Sequence, residues 1–168
     1  MGVAVELVEK RQIWGSACAI YAVTTSKAGT VFMRVTASNY RNDQRAVIVV
    51  DAQKFLAAWQ RNPRYREPLA FADEHGWRND YKFEHAEKGF SHGIENPVPL
   101  ALIGVDDDIA GTSVGFTNGI TRTIWLLANG AAAFPIECSA KTAHALHATA
   151  GLAEYPVLTV AKLLANQE

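Results

Sequence analysis

The sequence predicts an α+β domain built on a mixed sheet, and three observations carry that expectation. The first third of the chain is rich in alternating, β-branched and aromatic segments of strand length. The remainder interleaves short apolar strands with helix-length stretches that carry caps and stops. Beyond the midpoint, Phe116–Gly130 reads as a strand that passes through Gly119-Ile120-Thr121-Arg122 directly into a helix. The 168 residues fit one domain over 1–168. A chain this long should bury roughly 70% of its unfolded surface without help from metals or disulfides.

Taken in order, Val3–Val8 alternates, and Ala17–Thr24 and Thr30–Thr36 read as strands joined by a turn at Ser26-Lys27-Ala28-Gly29. Ala46–Val50 is continuously apolar, as in a strand covered on both faces. Asp51 can cap a helix over Ala52–Arg61 with Phe55, Leu56 and Trp59 on one stripe. Asn62–Gly93 is irregular, broken by Pro63 and Pro68, with room for a short helix at Tyr81–Lys88. A loosely patterned stretch that long marks either function or hidden structure. Val98–Val105 is a strand, Asp106–Gly111 a turn and Ser113–Phe116 a short strand. Ile120–Asn129 is a helix stopped by Gly130, and Phe134–Cys138 a strand. Ser139 then caps a helix ended by Gly151, and Val160–Ala165 closes the pattern.

Charge nearly cancels, with 16 Lys and Arg against 17 Asp and Glu. Broad polyanion binding by the whole molecule is therefore excluded. The distribution is uneven. Arg41–Arg66 holds six basic residues and two acids, whereas residues 89–168 hold three basic and seven acidic groups. Arg122 is the only arginine after Arg78. Two cysteines, Cys18 and Cys138, are too few for a disulfide framework and sit in apolar contexts. No secretory leader or membrane span is legible, so a cytoplasmic protein is expected.

Phe116–Gly130 carries the clearest chemistry. A helix's first turn presents N–H groups without intrahelical partners at the positive end of its dipole, which suits an anion. Arg122 adds a permanent cation with a fork of donors. Gly119 lets a phosphate approach the backbone, and Asn118, Thr121 and Thr123 offer short polar contacts. These residues form the expected phosphate or nucleotide site.

The wider pattern Pro97-Val98-Pro99-Leu100, Val114-Gly115-Phe116, Gly119-x-x-Arg122, Gly130 and Pro135-Ile136 resembles the ParB/sulfiredoxin fold over about residues 80–138. Members of that fold bind nucleotide or phosphate at the Gly-x-x-Arg turn. Ile120 stands where sulfiredoxins place their catalytic cysteine, which argues against sulfur reduction. The Glu of the partition-protein motif is missing, and only thirty residues follow Cys138.

A closer resemblance is to plasmid fertility inhibition factors. It lies in Val50-Asp51 with Phe55 and Trp59, in Gly89-Phe90-Ser91-x-Gly93 with Asn96–Ala101, and in Gly119–Arg122 through Cys138. It implies a bacterial plasmid or integrative-element protein that blocks type IV secretion of competing DNA. ATP hydrolysis and DNA cleavage are the activities it implies, with ATP and Mg²⁺ as cofactors and plasmid or transferred-strand DNA as a partner.

In this fold the segment before Pro97 approaches the phosphate turn. Glu84, His85 and Glu87, with His92, become candidates to activate water beside Arg122. Asp106 and Asp108 are candidate Mg²⁺ carboxylates, since that ion needs one or two alongside substrate phosphates. Calcium is excluded because Ala110 and Thr117 occupy positions where an EF-hand needs oxygen ligands. Arg61, Arg64, Arg66, Trp77 and Arg78 interleave basic and aromatic groups, as expected of a DNA-binding or partner-docking surface. Two rival readings stay open: a non-catalytic inhibitor that contacts a secretion ATPase or coupling protein, and a DNA-binding regulator.

Overall fold

The computed structural model describes residues 3–165, so residues 1–2 and 166–168 of the expected 1–168 domain lie outside it. Its nine strands form two mixed sheets, and both feed one hydrophobic cluster.

The first sheet is a meander of β1 (Val5–Ile13), β2 (Ser16–Thr25) and β3 (Gly29–Thr36), with β5 (Val98–Pro99) parallel to β3 at its edge. β1 runs five residues past the expected Val3–Val8. Pairing with β2 carries it through the charged Glu9-Lys10-Arg11, and a turn at Trp14-Gly15 with positive φ at both residues closes the hairpin. The second sheet has the order β7 (Gly111–Asn118), β6 (Ala101–Asp108), β8 (Ala133–Ser139), β4 (Arg45–Asp51), β9 (Leu158–Thr159). β4 lies between β8 and β9, and its Ala46–Val50 is buried throughout, as its apolar run predicts.

The expected strand Val98–Val105 is two strands. The Leu100 N–H still donates to Arg34 of β3, and Ala101 already pairs with β8, so the chain steps from one sheet to the other within a residue. β6 then continues through Asp106-Asp107-Asp108, which were expected in a turn. Cross-strand partners on β7 run from Asn118 to Gly111 and keep the acids within the ladder.

Asp51 caps α1 (Ala52–Gln60) as expected, accepting from the Lys54 N–H at 2.9 Å. Phe55 and Trp59 on this helix meet Phe134 and Phe116 edge-on, at 5.5 and 4.9 Å between ring centroids. The irregular stretch contains a 3-10 turn at Pro68–Phe71, α2 (Glu74–Arg78) and α3 (Phe83–Phe90). These short helices hide from periodicity because each buries only one to three side chains. α4 (Ile120–Ala128) follows the glycine turn, with α5 (Ala143–Ala150) and α6 (Val160–Leu164) after it. Ser139 ends β8 and does not cap α5; Thr142 occupies the cap position without a side-chain cap bond. Among the described residues, no helix is long and apolar enough to cross a membrane.

Candidate functional site

Gly119 has φ +103°, and a side chain there is forbidden twice over. The conformation is left-handed, and a Cβ would lie 2.6 Å from the Ala101 Cβ and 2.8 Å from Arg122 Nη1. The glycine therefore lets β7 turn into α4 against β6. No side chain caps the helix, so its first-turn N–H groups have no side-chain cap partner.

Two pockets meet at this turn. One, of about 330 Å³, is lined by Tyr81, His85, Ala86, Gly89 and Val98 together with Lys82, Thr121 and Arg122. The other, of about 300 Å³, shares Lys82, Thr121 and Arg122 and continues along Phe116–Ile120. Expected site residues Asn118, Gly119, Thr121, Arg122 and His85 thus line adjoining pockets. The first is largely apolar, whereas the second presents backbone and short polar side chains. That division suits a ligand with a flat apolar portion and a phosphate.

Arg122 is half-buried. Its Nη1 donates to the Leu100 carbonyl at 3.2 Å, and among the described residues no carboxylate lies within 4.0 Å of it. Burial first, and the positive charge of Arg34 second, lower its pKa from the ordinary arginine value. A partly buried cation with only a carbonyl partner and a like charge nearby is poorly compensated until an anion arrives.

Other expected site residues lie away from the pocket linings. Thr123 is 1% exposed and its hydroxyl donates to the Gly119 carbonyl at 3.0 Å, so it braces the turn from behind. Glu84 and Glu87 are exposed on α3 and line neither pocket; of that trio only His85 reaches the site. Trp77 is buried, with its Nε1 donating to the Leu69 carbonyl at 2.8 Å, and belongs to the core. Arg78 is occupied at the end of α4, bonding the Ala128 carbonyl and Asn129 Oδ1 at 3.1 Å each. The remaining basic surface holds together better. Arg61, Arg64 and Arg66 are exposed with Tyr65, and the Arg66 guanidinium stacks 4.1 Å over the Phe71 ring.

The two candidate metal carboxylates both have partners within the protein. Asp106 pairs with Arg64 at 3.4 Å, and Asp108 accepts from the Ala110 N–H at 2.9 Å inside its own hairpin. No three His, Cys, Asp or Glu side chains converge among the described residues.

Sequence reasoning missed Arg34. It lies 88 residues before Arg122 on β3, and only the β3–β5 pairing brings the two together. No local signal marks it.

A family model described as "Plasmid Fertility inhibition factor" matches residues 47–151, from within β4 to the end of α5, with the whole Gly119–Arg122 turn. A curated relative, "Protein osa" of Shigella flexneri, is 40% identical over 57 residues, covering 34% of this chain and 30% of the relative. The chain thus aligns with less than a third of that relative's length. A crystal structure titled as the Oncogenic Suppression Activity Protein, a plasmid fertility inhibition factor, superposes with a TM-score of 0.74 at 26% identity. That likeness covers 95% of this chain and 80% of the other.

Proposed function

Since the chain belongs to the plasmid fertility inhibition factor family, we propose that it blocks conjugative transfer of competing DNA through ATP hydrolysis and DNA cleavage at the Gly119–Arg122 site. The observation that carries this reading is the uncompensated charge of Arg122 at the uncapped start of α4, beside a largely apolar pocket. ATP enters as its Mg²⁺ complex, since that ion usually keeps several waters and is held largely by the substrate's phosphates.

The phosphates lie against the first-turn N–H groups of α4. Arg122 and Lys82 offset charge on the non-bridging oxygens as it shifts in the transition state. The adenine occupies the apolar pocket against Val98, Ala86 and the exposed Tyr81. His85, on the same wall, takes the proton of the attacking water as the bond from phosphorus to the leaving oxygen breaks. A DNA phosphodiester presents the same non-bridging oxygens to the same groups. Arg122→Ala should lower ATP turnover and DNA nicking by about 100-fold or more while the fold survives. Equal turnover in variant and wild type would refute the reading.

A second reading has its own observation. The exposed Arg61, Arg64, Tyr65 and Arg66 with Phe71 have the composition of an interface anchor. A protein acting there inhibits a secretion ATPase or coupling protein by contact. Under that reading, charge reversal at Arg61, Arg64 and Arg66 abolishes inhibition and Arg122→Ala does not. A DNA-binding regulator is distinguished by a steep fall of DNA affinity with salt in the absence of any turnover.

A further inference from the structure

Arg34 is a half-buried residue of β3. It comes from the meander sheet, and the phosphate turn belongs to the other. The two meet at the short segment Pro97–Leu100, where both arginines are anchored. Arg34 Nη1 donates to the Pro97 carbonyl, Arg122 Nη1 donates to the Leu100 carbonyl, and the Leu100 N–H donates to the Arg34 carbonyl at 2.9 Å. Two guanidiniums therefore grip carbonyls three residues apart, and Val98 between them lines the nucleotide pocket.

Neither arginine has a carboxylate within 4.0 Å among the described residues, although Arg11, Arg45, Arg64 and Arg78 each have one. Arg34 is itself half-buried. Its charge is close enough to Arg122 to disfavour the protonated form there. Placing two like charges on one bracing strand is unfavourable for the empty protein. A negatively charged ligand offsets both.

Resting on the phosphate reading above, we propose that Arg34 is a positioning and specificity-determining residue of the site, which with Arg122 selects a dianionic phosphate group such as the terminal phosphate of a nucleotide. Arg34 lines neither pocket, so it acts through charge and through the strand it holds. Arg122 faces the ligand, and Arg34 sets how much negative charge the ligand must carry.

The test uses the full chain, with ATP as probe, and compares wild type, Arg34→Lys, Arg34→Gln and Arg122→Gln by titration calorimetry. Melting midpoints confirm that each variant is folded. Arg34→Gln should weaken ATP binding about tenfold, because one of the two positive charges near the phosphates is lost. Arg34→Lys, which keeps the charge, should stay within about threefold of wild type. In a second measurement, inorganic phosphate should raise the melting midpoint of wild type and of Arg34→Lys, but not of Arg34→Gln. The proposal is overturned if Arg34→Gln binds ATP like wild type while Arg122→Gln does not. It is equally overturned if Lys and Gln at position 34 lose the same affinity, since bracing and not charge would then be the role. Undiminished binding by Arg122→Gln would instead remove the phosphate site itself.

Discussion

Arg45 and Arg122 are the same residue type, both half-buried, in opposite electrostatic situations. Arg45, on β4, forms a two-armed pair with Glu137 on β8, at 2.9 Å from Nε and 2.7 Å from Nη2. The hydrogen bond to Glu137 raises its pKa. Arg122, at the phosphate turn, has a carbonyl and a neighbouring arginine, and its pKa falls. The fold gives Arg45 a carboxylate and gives Arg122 none among the described residues. Partnering is what distinguishes these two half-buried arginines.

Exchanging the two roles gives the largest expected effects. Arg122→Ala should lose ATP turnover by about 100-fold or more with little change in melting midpoint. Glu137→Ala should do the reverse. It strands Arg45 in a partly buried position and should cost about 2 kcal/mol in denaturant unfolding, while turnover in the folded fraction stays at the wild-type value. Comparable activity losses in both variants would dissolve the distinction.

Gly119→Ala tests the backbone beneath the site. Its strained φ and the approach to Ala101 should cost about 1–3 kcal/mol and displace Arg122, lowering both stability and turnover. Stability measured by urea unfolding together with steady-state ATP hydrolysis reads both.

Next to Glu137, Cys138 gives a pH-dependent counterpart. Burial first, and the Glu137 charge second, raise its thiol pKa from 9.0 to about 12. Above about pH 9 the unfolded chain releases this proton and the folded chain keeps it. The unfolded state then binds fewer protons, so stability is full below that pH and falls as pH rises towards 12, at up to about 1.4 kcal/mol per pH unit for this group. Buried Tyr21, also raised by burial, adds a fall in the same direction at higher pH. Denaturant midpoints across pH 8–11 check the slope, and Cys138→Ala should flatten it. At the surface, charge reversal of Arg66 should change stability by no more than about 0.5 kcal/mol.

Much of this was legible in the sequence where the signal is local. The apolar run Ala46–Val50, the Asp51 cap and the Gly119–Arg122 turn each depend on neighbours within a few residues, and each forms where expected. What escaped depends on distant pairing. β1 is extended through charged residues by its partner, and the Val98–Val105 strand is divided because two sheets compete for it. Trp77 resembled a surface aromatic because its neighbours are charged, yet it is buried with the Leu69 carbonyl as its partner. Arg34 could not be recognised from its own surroundings, because it meets the segment that Arg122 also bonds only where two sheets share it.

Conjugation frequency is the measurement that bears most directly on the central claim. A competing plasmid is transferred from donors expressing either wild type or Arg122→Ala at equal, verified protein levels. If the unpaired arginine is the working group of fertility inhibition, transfer returns to the level of donors lacking the protein. Inhibition by Arg122→Ala as strong as that by wild type would contradict the account and place the function on a contact surface instead.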